Sequence, residues 1–252
     1  MDKTKFRIGK TFISRTSPED AIRRVTEAAV AGKGGYICVS NMRMIEYASE
    51  HPDYNELMKG SFMNWPDGRP LSWCGRLWGL GDVECTSGPS TFRRMMTEAD
   101  PRLKHFLLGD TQDVLDEIVR TYPDAPIAGV CSLPFAEVDD FNYEEISRMV
   151  SESGANVIWT AMIAPKQDEF DQRLLTWLPH TVLIGVGRAF RLSVGRVKDA
   201  PEWAKKSGIG GFFIGKSSKP RLAWWYCKKT ATLLGYYLSI LGRRIAGKQY
   251  YE

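Results

Sequence analysis

Ile184-Gly185-Val186-Gly187-Arg188-Ala189-Phe190 decides the fold, together with Ala164-Pro165-Lys166-Gln167 before it and Gly195-Arg196-Val197-Lys198 and Ala200-Pro201-Glu202-Trp203 after it. Asn156 to Ile163 and Thr181 to Gly187 are short apolar runs without polar alternation, each bounded by Pro or Gly. Such runs suit strands covered on both faces. Between them, Lys166 to Trp177 is polar, with Phe170, Leu174 and Trp177 at helical spacing behind Pro165. The unit reads strand, helix, strand, and α/β proteins place ligands where such strands end. Gln167 falls in the first helical turn, where free backbone N–H groups and the helix dipole favour an anion. Gly185 and Gly187 suit either close approach of a ligand to the backbone or simply a tight turn with helix packing.

Working outward, Phe6 to Ile13 reads as a short hairpin or edge strand, and Ser17-Pro18-Glu19-Asp20 as a helix start. Tyr36 to Val39, His105 to Leu108 and Ile127 to Cys131 read as strands, with helices from about Met42 to Glu50, Thr111 to Thr121 and Tyr143 to Val150. Asp139-Asp140 reads as the cap of the last of these, and Pro66-Asp67-Gly68 as a turn. The alternation predicts an α/β domain: a Rossmann-like, largely parallel sheet with helices on both faces. We divide the chain into this domain over residues 1–202 and a basic amphipathic appendage over 203–252.

The charge supports that division. The chain of 252 residues carries a formal net charge of +4. From Trp203 onward, however, ten Lys and Arg face one acid, whereas residues 1–202 hold 24 basic and 29 acidic residues. The basicity belongs to the tail, where Trp224, Trp225, Tyr236 and Tyr237 lie among Lys228, Lys229, Arg243 and Arg244. Its apolar runs are too short for the roughly 20 residues that a membrane span needs. Aromatic residues beside Lys and Arg suit the headgroup boundary instead, so Trp224, Trp225, Lys228, Lys229, Tyr236 and Tyr237 form a candidate contact with an anionic membrane surface. A core-packing helix or a subunit contact would carry the same pattern. No nucleic-acid motif accompanies the basic surface. The N-terminus shows no basic-then-apolar leader, and five scattered cysteines without C-x-x-C spacing point to free thiols in a reducing cytosol. Three isolated histidines offer no metal-ligand spacing, and D-x-D, the usual metal signature of nucleotide-sugar transferases, is absent.

In order, these segments resemble the WecG/TagA/CpsF glycosyltransferase family, whose members build bacterial surface polysaccharides and teichoic acids. Ala164-Pro165-Lys166-Gln167 is similar to its G-A-P-K-Q-E turn, Gly185 to Phe190 to its G-V-G-G-A-F turn, and Gly195 to Trp203 to its G-R-V-x-R-A-P-x-W segment. Upstream, Asp67-Gly68-Arg69-Pro70 matches A-D-G-x-P, Val39-Ser40-Asn41 stands at T-P-N, and Ser87-Gly88-Pro89 and Phe106 to Gly109 match two further landmarks. The resemblance implies an inverting, metal-independent transfer from a nucleotide-sugar, such as a UDP-sugar, to a glycan on undecaprenyl diphosphate. It needs no cofactor, and it would take place in the cytoplasm on the inner face of the cell membrane. It makes Asp67 the general base, and places Asn41 and Gln167 near sugar or donor. Gly109 would admit a nucleotide phosphate, with Lys166, Arg196 and Arg221 as cations for the diphosphate. Polar departures stand beside these matches: Val39 replaces threonine, Cys85 arginine, Ser90 aspartate, and Arg191 the aspartate of G-A-F-D. Ser132 to Phe135 and Ile209 to Phe212 depart from the family turns as well. They keep open a second expectation, a catalytically weak relative that binds a glycolipid or serves as a scaffold.

Overall fold

The structure is a computed structural model that describes residues 3–208 and 219–251, over 219–229 as backbone alone. Strands β1 (Lys5–Ile8) and β2 (Thr11–Ser14) form a hairpin turned at Gly9, and Ser17 caps α1 (Pro18–Val30) through the amide of Asp20. Then follow β3 (Gly35–Ser40), α2 (Met42–Glu50), α3 (Pro52–Gly60), β4 (Met63–Pro66), α4 (Arg69–Leu77), α5 (Gly88–Glu98), β5 (His105–Gly109) and α6 (Gln112–Thr121). The second half runs β6 (Ile127–Cys131), α7 (Tyr143–Ser153), β7 (Val157–Ala161), α8 (Lys166–Trp177), β8 (Val182–Gly185), α9 (Ala189–Ser193), α10 (Glu202–Lys206) and α11 (Lys219–Ile245). Asn142, not Asp139-Asp140, caps α7: its side chain accepts from Glu145, while Val138–Asp140 forms a single 3-10 turn.

Six parallel strands make one sheet in the order β4-β3-β8-β7-β5-β6. Side chains alternate along each strand with period two, so each inner strand feeds two cores. Tyr36, Cys38, Phe106, Leu108, Ile158 and Leu183 face the hairpin, α2, α3, α4, α7 and α8. Ile37, Leu107, Val157, Trp159, Val182 and Ile184 face α1, α5, α6 and α9. Right-handed crossovers tie helix side to direction of travel. The chain leaves β5 through α6 on one face and β7 through α8 on the other. The exits of these adjacent strands therefore diverge, opening a crevice at the carboxyl edge.

Under α8 lies a buried acidic pair. Thr160 donates to Asp171 at 2.9 Å, and Tyr54 donates to Asp168. Burial pushes the Asp168 carboxyl up to about 7 and holds Asp171 well above the ordinary carboxylate range.

The C-terminal helix packs on the domain. Ile240 is buried in the core, the Tyr237 hydroxyl donates to the Pro70 carbonyl at 3.2 Å, and Arg244 donates to the Leu77 carbonyl at 2.8 Å. Beyond the helix, Arg7 of the hairpin donates its amide to the Tyr250 carbonyl at 2.8 Å. Tyr236 packs where Gly9 has no side chain: a Cβ there would lie 2.7 Å from its ring. Tyr236 and Tyr237, expected at a membrane, thus turn toward the protein, because their face of the helix is the one that meets α4 and the hairpin. Leu234, Leu238, Leu241 and Ile245, spaced four, three and four apart, form the exposed apolar stripe instead. No helix among the described residues is long and apolar enough to cross a membrane.

Two measurements check this architecture. Ile240→Ala should lower the stability of the whole chain by about 2–5 kcal/mol, as expected for a large-to-small change in a core; chemical denaturation leaving the main transition unmoved would show that α11 is not docked. The buried acids predict a pH dependence with a definite sign. Between the unfolded carboxylate value of about 4 and the folded value, the native state binds more protons, so stability falls as pH rises from about 4 up through the folded values, about 7 for Asp168. Asp171→Asn keeps the acceptor for Thr160 and removes one titration. Its melting temperature should gain on that of the wild type between pH 5 and pH 8.5, whereas a constant offset would contradict the assignment.

Candidate active site

Five of the six strands deliver a candidate site residue at the carboxyl end, and the exits of β3, β4 and β8 come together. Asp67 leaves β4 with its amide donating to the Ser40 carbonyl at 2.8 Å, which sets it beside the β3 exit and Asn41. Gly68 follows at φ 93°, a conformation suited to glycine, and α4 begins at once. The expected turn is therefore also a helix start.

The segment ahead of α5 closes the other side. Thr86 donates its amide to the Pro66 carbonyl at 2.9 Å, laying residues 85–88 along the end of β4. This brings Cys85 to Gly68, whose amide donates to its Sγ at 3.1 Å. It also brings Ser87 to Asp67. Ser87 makes no side-chain cap on α5; its hydroxyl lies near the Asp67 carboxylate and draws its pKa down. Burial raises the Asp67 carboxyl to about 6, against the opposing pull of the Ser87 hydroxyl and the positive field of Arg188, with the negative charge of Asp199 adding to the rise. The same burial, reinforced by Asp67, pushes the Cys85 thiol up to about 11, so it stays protonated at neutral pH. A half-buried carboxyl poised near neutrality at a sheet edge has the properties of a general base.

The β7 and β8 exits are joined by Gln167. Its side chain is buried, and its Oε1 accepts from the Met162 amide at 3.1 Å and the Gly187 amide at 2.8 Å. Gly185 makes room for it, since a Cβ there would fall 2.2 Å from the Gln167 amide nitrogen. Gly187 turns the chain at φ 55°. In this arrangement Gln167 and Gly185 serve the turn, and the Gln167 carbonyl is fully engaged by backbone. Asn41 likewise caps α2, its Oδ1 accepting from Arg43 and Met44 at 3.0 and 3.3 Å.

The expected cations are engaged too. Lys166 donates to the Ala136 carbonyl and lies 3.7 Å from Glu137, over the rings of Phe135 and Phe141. Arg196 is paired with Asp113 and, at 2.6 Å, with Glu117 of α6. The β5 exit at Gly109, with φ 98°, leads to Asp110, itself left-handed at φ 60°. Arg191 bridges to Asp110 through two nitrogens at 2.8 and 3.0 Å, so the residue that departs from the family aspartate finds an acid across the sheet edge. β4 and β5 are four places apart in the sheet, about 19 Å at the usual interstrand spacing, so Asp67 and Gly109 mark two ends of the edge rather than one contact. The side chains of Arg221, Trp224, Trp225, Lys228 and Lys229 lie outside the described residues.

Ser87, Arg188 and Asp199 belong to the surroundings of Asp67 without having been singled out by the sequence. Asp199 is held by Arg93 at 3.4 Å and Lys205 at 3.0 Å. Arg188 had a visible signal: a charged side chain within a glycine turn. Ser87 had none beyond its place in a landmark, because its hydroxyl reads equally well as a helix cap.

The glycosyl transferase WecG/TagA/CpsF family matches this chain over residues 6–246. A similar protein of Bacillus subtilis, an N-acetylglucosaminyldiphosphoundecaprenol N-acetyl-beta-D-mannosaminyltransferase, is 24% identical over 223 residues, covering 86% of this chain and 83% of the relative. A Bacillus spizizenii protein of the same description is 24% identical over 176 residues, 68% of this chain and 66% of the relative. A match running from the hairpin to the end of α11 places this chain in the WecG/TagA/CpsF family of glycosyltransferases.

Proposed function

We propose that this glycosyltransferase moves a sugar from a nucleotide-sugar, of the UDP class, to a saccharide carried on undecaprenyl diphosphate, with inversion at the anomeric carbon and Asp67 as general base. The observation that carries this reading is a half-buried carboxylate at the β4 exit, Asp67, held beside β3 through its amide and the Ser40 carbonyl at 2.8 Å, with burial raising its carboxyl to about 6. The relatives named above add the substrate classes, since their descriptions state mannosaminyl transfer to a diphosphoundecaprenol-linked sugar.

The acceptor hydroxyl attacks the anomeric carbon from the face opposite the diphosphate. Asp67 takes the hydroxyl proton as the new C–O bond forms. The bond from the anomeric carbon to the phosphate oxygen breaks, and its electron pair leaves on the nucleoside diphosphate. One displacement inverts the centre, as in enzymes whose base activates the nucleophile across the sugar ring from the leaving group. The reading is metal-independent, with protein cations meeting the leaving charge. Peripheral association with the inner face of the cell membrane completes it. The exposed Leu234-Leu238-Leu241-Ile245 stripe of α11, beside Arg243 and Lys248, supplies an apolar and basic surface of the kind that lies in a headgroup boundary. A second reading, a weakly active glycolipid-binding scaffold, draws on Lys166 and Arg196 being held in ion pairs.

Asp67→Asn should retain the fold and lower transfer at least about a hundredfold, the order expected for loss of a general base. In the wild type, kcat/KM should fall about tenfold per pH unit below pH 6, because protonation removes the base. Activity should survive EDTA. Unchanged turnover in Asp67→Asn would remove the assignment. A thermal-shift screen in which no nucleotide-sugar raises the melting temperature would favour the scaffold, since a bound donor must stabilise the native state. Flotation with phosphatidylglycerol vesicles should be lost in Leu238→Asp; equal flotation of both proteins would exclude the α11 stripe.

A further inference from the structure

Two of the described cations around the carboxyl-edge cleft, Arg69 and Arg188, make no ion pair among the described residues; the charge of Arg69 acts on Cys85, and that of Arg188 on Asp67 itself. Lys166, Arg191, Arg196 and Arg93 each have an acidic partner. Arg188 is exposed and makes no ion pair or side-chain hydrogen bond among the described residues. Its position is nevertheless well determined. The amide of Gly187 just before it is held by buried Gln167 at 2.8 Å. Val186, one residue earlier, packs on Gly88, approaching a Cβ at that position to 3.5 Å. Gly88 adjoins Ser87, whose hydroxyl lies near Asp67. A guanidinium carried on a braced turn, close enough for its charge to act on Asp67 but not bridged to it, remains available to a ligand.

The chemistry at the same place calls for such a group. A carboxylate base must work within a few ångströms of an anomeric carbon whose leaving group carries a diphosphate. An arginine fork is suited to phosphate oxygens through paired charge-assisted hydrogen bonds. Next to Asp67, at the Gly68 amide, stands Cys85, a thiol kept protonated by burial; by the resemblance noted above, arginine would be expected at 85 and glycine at 188. Relative to that pattern, a cation is absent at position 85 and present at position 188.

We infer that Arg188 is the diphosphate-binding arginine of this cleft, taking over from the β8–α9 turn a charge that position 85 no longer carries. This rests on the transferase reading above. The diphosphate belongs either to the nucleotide donor or to the lipid-linked acceptor, and the two are separable by experiment.

The test uses the full chain with UDP as probe, by titration calorimetry at fixed moderate salt, together with the KM for acceptor. Arg188→Gly should weaken UDP binding about tenfold or more, the scale of a lost charge-assisted contact, with Arg188→Lys recovering part of it. Adding Cys85→Arg to Arg188→Gly should restore affinity. Removing the positive field should also move the acid limb of kcat/KM upward in pH, a change that a merely structural role would not cause. Unaltered UDP affinity with a raised acceptor KM would assign the same arginine to the acceptor diphosphate. Unaltered UDP affinity and unaltered acceptor KM in Arg188→Gly would overturn the inference while leaving the transferase reading intact. Failure of the wild type to bind UDP or turn over acceptor would instead overturn the transferase reading, and this inference with it.

Discussion

The carbonyl oxygen of one buried side chain, Gln167, holds the amides of Met162 and Gly187 and so locks the exits of two neighbouring strands to each other. Both amides would otherwise be unpaired in a region largely closed to water, and an orphaned buried donor costs on the order of 1–3 kcal/mol. The arrangement is sterically exclusive: Gly185 cannot carry a side chain while Gln167 occupies its place. The turn that follows β8, carrying Arg188 into the start of α9, leaves the sheet from this contact.

Asp67 is set by a different logic. Its backbone is tied to β3 through Ser40, and the Ser87 hydroxyl before α5 and the charge of Arg188 act on its carboxylate. Desolvation outweighs the stabilising influences of Ser87 and Arg188, which is why the carboxyl rises to about 6 rather than falling. A fully paired aspartate would be a weak base, and a fully dehydrated one would stay protonated. The intermediate balance leaves it ionised at neutral pH with appreciable basicity. Asp168 and Asp171 show the other limit: burial dominates both, and their cost falls on stability instead of chemistry.

The apolar stripe of α11 illustrates how far periodicity carries. Leu234, Leu238, Leu241 and Ile245 lie on one face, and Tyr236, Tyr237 and Ile240 on another, so the helix is apolar over much of its circumference. From residue spacing alone, either face suits a membrane. Neighbouring surfaces decide: Gly9 leaves a hollow for Tyr236, and Pro70 offers a carbonyl to Tyr237.

Local sequence determined the strand–helix–strand units, the hairpin at Gly9, the cap at Ser17 and the turn at Asp67, since each follows from patterns within a dozen residues. It also determined the family, through motifs kept in order from Val39 to Trp203. The tertiary structure alone decided the strand order and the partners of the site. Arg196 meets Glu117, Arg191 meets Asp110, and Ser87 meets Asp67 only because parallel crossovers bring distant loops to one edge. The physical reason is that a charge or hydroxyl has no preferred partner until packing sets which groups lose their water together, and that loss depends on surfaces remote in the chain.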